Sequence, residues 1–318
     1  MKYVSNMLAK PKTMRTSQMA SIGNVDQGME IYLKNAYVCL KSVLLHNEDV
    51  KCILFVDFTL PEEWSERFKI AGIDIQFVKF GGYQISDNFD WGIVQYRYDV
   101  INYLCEKMSD DDEVIMLDTD VLCVGSLENV FREIKYRACF YDVQHAYTIK
   151  DRKNIIDNYL KIYPIAEHCE LIHYGGEFIG CNGKHLKTIF EESKKVMMQS
   201  ANIDSLVNFN DEHITSIALY HLWNEVPINN ANAYIARYWT NPGMYLVSTN
   251  YQYNPVVLWH LPFEKNKGFL WVYDYMITKA ALPNKSDLCK VFGLPDYKRK
   301  ETLFGFCAKL KRKLNMLK

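Results

Sequence analysis

The chain has 318 residues, of which 49% are hydrophobic and 24% are charged, and its formal net charge at pH 7 is −1. This composition is typical of a globular protein with one large domain or two small ones. The balanced charge excludes a general basic surface, so no nucleic-acid partner is expected.

The nine cysteines are scattered along the chain, and none forms a Cys-x-x-Cys pair. Such a pattern favours reduced, mostly buried thiols over a disulfide framework or a zinc site. The N-terminus lacks the apolar core of a secretion signal, and no window reaches the roughly 18 apolar residues of a membrane-spanning helix. These features together predict a cytoplasmic protein.

In the first half of the chain, predicted strands and helices alternate. Residues 1–20 carry a thin apolar signal, and the best candidate for an opening strand is Gln18–Ile22. Further strands are predicted over 51–57, 74–80, 114–117 and 137–143, and helices over 28–46, 60–72, 94–108 and 127–134. A strand, a helix and a second strand within about 30 residues are typical of a right-handed βαβ unit, which predicts a parallel sheet.

The second half has a less regular pattern. Helices are predicted over 150–163, 184–198 and 214–223, and short strands at 174–182 and 256–260. In the first of these strands two glycines precede the apolar residues, as they would at a turn. The chain shows no repeat, no low-complexity linker and no sharp boundary, so a single domain is expected.

Two carboxylates, Asp118 and Asp120, follow directly after the apolar run Val114–Leu117. Ligands of open α/β sheets bind beyond the carboxyl ends of the strands, where these acids would lie. Positions i and i+2 of an extended segment face the same side, so both acids could hold one hard cation at a nucleotide diphosphate. The alternative is a surface turn, in which Asp and Thr are common.

Three later features each have a simple structural explanation when taken singly. Glycines such as Gly175 and Gly176, which precede Glu177, mark turns. An acid at a helix start, as in Asn210-Asp211-Glu212, is usually a cap, and either Asn210 or Asp211 could fill that role. A lone histidine at a strand end, such as His260, is more often structural than a metal ligand.

In this order along one chain, these features resemble nucleotide-sugar glycosyltransferases of the GT-A fold over about residues 20–275. The most specific segment, Leu117–Leu127 (LDTDVLCVGSL), matches the metal motif of the family. Trp259–Trp271 (WHLPFEKNKGFLW) is similar to the family's His-x-x-Gly-x-x-Lys-Pro-Trp motif, without its glycine and proline. The chain resembles the retaining group with lipopolysaccharide galactosyltransferases and glycogenin (family 8), whereas Gly175–Gly180 and Asp211–His213 look more like family 6.

The resemblance implies a UDP-sugar donor that is bound through Mn²⁺ or Mg²⁺. The implied metal ligands are Asp118, Asp120 and His260. The implied donor-binding residues are Tyr32, which would stack on uracil, Arg97, Asp118, and either Lys265 or Lys267 at the diphosphate.

Glu212 is the predicted carboxylate beneath the anomeric carbon, and Asp211 is the second candidate. A carboxylate there stabilises the oxocarbenium-like transition state. It would form a short-lived covalent adduct or only stabilise the cation, in which case the acceptor attacks from the leaving-group face. Either route predicts retention at the anomeric carbon.

The resemblance implies an α/β, GT-A fold: a single Rossmann-like domain over 1–296, with a mostly parallel central sheet and helices on both faces. Within it, 20–145 would be the nucleotide-binding half and 146–296 the acceptor-binding half.

Residues 297–318 form a predicted basic amphipathic tail, with apolar residues at positions 303, 306, 310, 314 and 317. Such a helix could lie on an anionic membrane surface at the inner face of the plasma membrane. This suggests a glycan or lipid-linked acceptor in lipopolysaccharide or other cell-surface polysaccharide synthesis. The alternative is a helix packed on the domain with solvated lysines.

Two other classes of protein remain open from the sequence. A sugar nucleotidyltransferase also uses an α/β nucleotide fold, although no Gly-rich phosphate loop lies near the N-terminus. A non-catalytic nucleotide-sugar or metal-binding protein would use the same carboxylates to hold a structural ion.

Overall fold

In this computed structural model the described residues are 1–10, 24–83, 92–143, 149–164, 171–240 and 256–294. The strands are β1 (Lys2–Leu8), β2 (Lys51–Val56), β3 (Ile73–Phe77), β4 (Glu113–Leu117), β5 (Val121–Cys123), β6 (Ala138–Asp142), β7 (Tyr174–Asn182), β8 (Ile228–Asn230), β9 (Ile235–Arg237) and β10 (Leu258–His260).

The α-helices are α1 (Val25–Leu44), α2 (Glu62–Ile70), α3 (Tyr96–Lys107), α4 (Glu128–Ile134), α5 (Ile149–Ile162), α6 (Gly183–Ser200), α7 (Asp211–His221), α8 (Gly268–Lys279) and α9 (Lys285–Phe292). Short 3-10 helices lie at Gly92–Gln95, Ala231–Ala233 and Pro262–Glu264. Of the helices in the described ranges, none has both the length and the apolar character needed to cross a bilayer.

The central sheet has seven strands in the order β3-β2-β1-β4-β7-β6-β8. Strand β7 pairs antiparallel with both of its neighbours, and the other pairs are parallel. Successive residues of β4 face opposite sides, with Ile115 and Leu117 in one hydrophobic cluster and Val114 and Met116 in the other. Helices α1, α2, α4, α8 and α9 contribute to the first cluster and α3, α5, α6 and α7 to the second. The predicted mostly parallel sheet with helices on both faces is confirmed.

Strand β1 was missed in the sequence, because an opening strand was expected at Gln18–Ile22, which lies outside the described residues. The reason lies in its composition: Ser5 and Asn6, in the middle of β1, are polar although both are buried. The side-chain amide of Asn6 donates to the carbonyl of Leu117 at 2.8 Å. A polar residue therefore stands where a buried strand normally carries an apolar one, and the hydrophobic pattern is lost.

The predicted strand over 114–117 is β4, and a separate strand, β5, follows the two acids. β4 ends at Leu117, and the chain turns so that the amide of Val121 donates to the carbonyl of Asp118 at 3.2 Å. β5 then enters a second, three-stranded sheet with the order β5-β10-β9. Asp118 and Asp120 thus lie in a turn between two sheets, and the expectation that they share one face of an extended segment was wrong.

Both predicted halves of the chain contribute strands to the central sheet, since β7 lies between β4 and β6. The division at residues 145 and 146 stays a prediction. The two glycines at 175 and 176 lie inside β7 and not in a turn before it. Seven cysteines in the described ranges are free, and all but Cys105 are buried. The basic tail over 297–318 lies outside the described residues.

Candidate functional site

Three predicted metal ligands meet where the two sheets adjoin. Asp118 and Asp120 lie in the turn after β4, and His260 is the last residue of β10. Their ligand atoms all lie within 4.8 Å of one another. The register of the small sheet explains this, because His260 pairs with Val121 and the amide of Leu261 donates to the carbonyl of Asp120 at 3.0 Å.

The donor set of this group fits a divalent cation. Two carboxylates and one imidazole are ligands that Mn²⁺ and Mg²⁺ accept. The side chain of Asp120 is buried, whereas that of Asp118 is 36% exposed, so the group is open to solvent on the Asp118 side. An ion held here would have coordination positions left for phosphate oxygens.

Opposite charges surround Asp120. The ammonium of Lys265 forms an ion pair with Oδ2 of Asp120, and Nε2 of His260 lies 3.3 Å from the same oxygen. Burial acts against the charged carboxylate, but Lys265 and His260 outweigh it and lower the pKa of Asp120. Burial likewise opposes a charged imidazole, yet Asp120 and Glu177 raise the pKa of His260 to about 9.

A fully buried carboxylate, Glu177 in β7, lies behind the histidine. Oε1 of Glu177 is 3.0 Å from Nδ1 of His260. The guanidinium of Arg237 donates to both oxygens of Glu177, from Nε at 2.6 Å and from Nη2 at 2.7 Å. Burial favours the neutral acid, but Arg237 and His260 prevail and hold the pKa of Glu177 at about 2.

A buried arginine, Arg97 in α3, contacts Asp118, Asp211 and the backbone of Gly176. Its guanidinium forms an ion pair with Asp211, lies 3.5 Å from Oδ1 of Asp118 and donates to the carbonyl of Gly176 at 2.6 Å. Burial raises the pKa of Asp211 to about 6, and the charge of Arg97 opposes that shift. Arg97, predicted to contact the donor, thus links a metal-ligand candidate to the first residue of α7.

Glu212 lies in the first turn of α7, with hydrogen-bond partners on both carboxylate oxygens. Oε2 is 3.0 Å from Nε2 of His173, and Oε1 accepts from the amide of Gly176 at 3.2 Å. Nη2 of Arg237 lies 3.4 Å from the same Oε1. The helix is capped by Asn210, whose side chain accepts from the amide of His213 at 3.1 Å, so neither acid is needed as the cap.

The structure separates the two lysine candidates. Lys265 is buried and contacts Asp120, whereas Lys267 is exposed. The backbone carbonyl of Lys265 accepts from the side chain of Asn35 at 3.1 Å, which ties this segment to α1. Tyr32, one turn earlier in α1, is partly buried and packs with Ile31.

The glycines of β7 make room for the two arginines. A Cβ on Gly175 would lie 2.1 Å from Oε2 of Glu177, and a Cβ on Gly176 would lie 2.6 Å from Nη1 of Arg97. Both distances are shorter than Cβ contacts in proteins, so any larger residue at either position would displace these side chains.

The sequence patterns assigned no role to Glu177, His173 or Arg237. Glu177 belongs to the stretch Gly175–Gly180, which was interpreted from its glycines and its likeness to family 6. Its pairing with Arg237 spans 60 residues and that of His173 with Glu212 spans 39, so no local spacing could have revealed either contact.

A scan with protein-family models gives no match, and a search of curated protein sequences gives none either. Several solved structures are similar. One is the galactosyltransferase LgtC in complex with donor and acceptor sugar analogues, at 15% identity and a TM-score of 0.53, covering 90% of this chain and 99% of that chain. An active-site mutant of LgtC matches at 16% identity with a TM-score of 0.51 over the same shares of the two chains.

Mouse xyloside xylosyltransferase 1, in its apo form, is similar at 10% identity with a TM-score of 0.50, covering 81% of this chain and 97% of that chain. These similarities extend over most of each chain, although few residues are identical. They establish that this protein has the α/β GT-A fold of these glycosyltransferases.

Proposed function

We propose that this protein is a metal-dependent glycosyltransferase, which moves a hexose from a UDP-sugar to a glycan or lipid-linked acceptor with retention at the anomeric carbon. The observation that carries the proposal is the meeting of Asp118, Asp120 and His260 at one point of a GT-A fold. The similar solved structures include a galactosyltransferase and a xylosyltransferase, which supports sugar transfer as the reaction class.

Asp118, Asp120 and His260 would hold Mn²⁺ or Mg²⁺, and the bound ion would supply positive charge against the leaving diphosphate. Lys265 would add a second positive charge near the diphosphate, since its ammonium already lies at Asp120. The exposure of Lys267 makes it the weaker of the two candidates. Tyr32, on the helix that is tied to Lys265, remains the candidate for stacking on uracil.

On the sugar side, the geometry favours Glu212 over Asp211 as the carboxylate beneath the anomeric carbon. Asp211 is buried in an ion pair with Arg97. Glu212 is held by its partners, yet 16% of its side chain remains exposed. A fixed and accessible carboxylate can stabilise a developing oxocarbenium ion without reorganisation.

The bond between the anomeric carbon and the diphosphate oxygen breaks, and its electron pair stays on the diphosphate. In one route Glu212 bonds to the carbon and is then displaced by the acceptor hydroxyl, whose proton passes to the released diphosphate. In the other route Glu212 only stabilises the cation, and the hydroxyl attacks from the side of the departing diphosphate, which takes its proton. Both routes retain the configuration of the sugar.

For the acceptor we propose a glycan or lipid-linked sugar of lipopolysaccharide or another cell-surface polysaccharide, reached at the inner face of the plasma membrane. The support is the basic amphipathic pattern of residues 297–318. If deletion of residues 303–318 left the partition between membrane and cytosol unchanged, this part of the proposal would be wrong.

The proposed reaction is tested by screening UDP-sugars for hydrolysis and transfer with Mn²⁺, in the wild type and in Asp120→Asn. We expect one or more UDP-sugars to react, and we expect the variant to lose turnover and Mn²⁺-dependent UDP binding together. Undiminished transfer by the variant would contradict the assignment. Pyrophosphate release from a nucleoside triphosphate and a sugar phosphate would indicate a nucleotidyltransferase instead, and metal binding without affinity for any nucleotide sugar would indicate a non-catalytic protein.

A further inference from the structure

We infer that Glu177 and Arg237 form one positioning pair, which orients the metal-ligand histidine, His260, on one side and the sugar-side carboxylate, Glu212, on the other. This inference rests on the proposed function of the site and adds two residues to which neither the sequence patterns nor the fold resemblance gave a role.

The first support is the geometry of the pair itself. The two oxygens of Glu177 receive Nε and Nη2 of Arg237 at 2.6 Å and 2.7 Å, which is a bidentate contact. Glu177 is fully buried, and the side chain of Arg237 is 9% exposed. Parallel charge-assisted hydrogen bonds of this kind fix both planes relative to each other. The pair is therefore a rigid element and not a solvated surface contact.

The second support is the contact between Glu177 and the histidine. Glu177 accepts from Nδ1 of His260 at 3.0 Å, while Nε2 is the nitrogen that faces Asp120 at 3.3 Å. A carboxylate behind an imidazole fixes the orientation of the ring and makes the outward nitrogen a better ligand. Glu177 thus selects Nε2 of His260 as the ligating atom.

The third support is the contact between Arg237 and Glu212. Nη2 of Arg237 donates to Oε2 of Glu177 and also lies 3.4 Å from Oε1 of Glu212. One guanidinium nitrogen therefore lies between two carboxylates that belong to β7 and α7. Its positive charge offsets the repulsion between the two carboxylates and holds Glu212 in a fixed position relative to Glu177.

The register of the small sheet places the pair. β9 runs parallel to β10, and Arg237 is the direct partner of His260. The backbone amide of Arg237 also donates to the hydroxyl of the buried Tyr141 at 3.0 Å. Because the guanidinium fork bonds two carboxylates at once, a lysine at this position would keep the charge but lose the geometry.

The metal side of the inference is tested with Mn²⁺ alone, titrated into the nucleotide-free full chain and followed by the electron paramagnetic resonance signal of free Mn²⁺. We expect Glu177→Gln to weaken Mn²⁺ binding by about 10- to 100-fold, as is usual when the partner of a ligating histidine is changed. Arg137→Lys is the matched control, since Arg137 forms an exposed ion pair with Glu133 at 2.7 Å, and it should bind Mn²⁺ like the wild type. Wild-type affinity in Glu177→Gln would overturn the metal side.

A double variant, Glu177→Gln with Arg237→Met, removes both charges and so avoids leaving one charge buried without its partner. We expect its unfolding to be cooperative, which would show that it folds. We also expect it to bind Mn²⁺ at least about tenfold more weakly than the wild type. A folded double variant with wild-type Mn²⁺ affinity would overturn the inference even if a single variant failed to fold.

The sugar side is tested with Arg237→Lys at saturating Mn²⁺. We expect kcat to fall about tenfold or more, while KM for the donor changes less than about threefold, because the variant alters the placement of Glu212 and not the binding of the nucleotide. Unchanged kcat would overturn this side. If the wild type transferred no sugar at all, the proposed function would fail, whereas the Mn²⁺ titrations would still decide whether Glu177 positions His260.

Discussion

Two arginines, the buried Arg97 and the partly buried Arg237, connect the candidate metal centre to the same helix, α7, and they do so in different ways. Arg97 contacts Asp118 directly and pairs with Asp211. The side chain of Arg237 contacts Glu177, which in turn contacts the imidazole of His260, and it approaches Glu212 from the same place. Consecutive acids of one helix turn are thus held by arginines from α3 and from β9, on opposite halves of the sequence. Because one contact with the metal group is direct and the other passes through Glu177, substitutions of the two arginines should change stability, activity and Mn²⁺ affinity to different extents.

The largest effect is expected for Arg97→Met. It leaves Asp211 buried without its guanidinium partner, which typically costs about 3–5 kcal/mol of unfolding free energy, and it also alters the surroundings of Asp118. The free energy of unfolding, measured with denaturant, and the rate of sugar transfer should therefore fall together. The double variant with Asp211→Asn should recover most of the stability but not the activity, and equal stability of the single variant and the wild type would remove Arg97 from this role.

The next effect distinguishes the two acids of α7. Glu212→Gln should lower kcat by about 10²- to 10³-fold, because the charge that faces the sugar is lost, while the unfolding midpoint stays near the wild type. Asp211→Asn should act mainly on stability, since Asp211 is the buried partner of Arg97. Steady-state kinetics and urea unfolding of both variants separate these outcomes, and the reverse pattern would exchange the two assignments.

A smaller effect is expected for Gly175→Ala. The added Cβ would lie 2.1 Å from Oε2 of Glu177 and 2.9 Å from Nη2 of Arg237, so the positioning pair must shift. It would also lie 2.7 Å from Cγ1 of Val143. Overpacking of this kind typically costs about 1–3 kcal/mol of unfolding free energy. Mn²⁺ affinity should fall as well, and a variant with wild-type stability and affinity would show that the pair can adapt.

The smallest effects concern the lysines. Lys265→Met should lower kcat about tenfold and raise the Mn²⁺ affinity of the nucleotide-free protein, because the ammonium no longer competes with the ion for Asp120. Lys267→Met is the control and should leave both values unchanged, since Lys267 is exposed. Calorimetric titration with Mn²⁺ measures the first quantity, and a loss of activity in the Lys267 variant alone would exchange their roles.

The sequence predicted the parts of the site that are local. Asp118 and Asp120 follow an apolar run, so a strand end with two acids is predicted from the sequence alone. His260, Arg97 and Glu212 came from resemblance to a family pattern, and the structure brings all of them to one region. The choice between Lys265 and Lys267 needed the fold, because sequence spacing does not reveal which of two nearby side chains is buried.

The remaining parts depend on contacts between distant segments. Glu177 looked like a residue after a turn, yet it lies inside β7 and pairs with Arg237. The hydrophobic pattern did not show that β5 joins a different sheet from β4, since both strands are apolar. The prediction of β1 failed for the opposite reason, because the buried centre of this strand is polar.

Asn6, at that polar centre, lies where β4 parts from β1. The backbone ladder between β1 and β4 ends at the pair Ser5 and Met116, while β1 itself continues alongside β2 to Leu8. One residue further on, the side chain of Asn6 takes the carbonyl of Leu117 in place of a backbone partner. The chain parts from β1 at that point, while the amide of Asp118 still donates to the carbonyl of Glu177 in β7 at 3.2 Å. A buried amide outside the candidate metal group thereby holds the backbone at the start of the turn that carries Asp118.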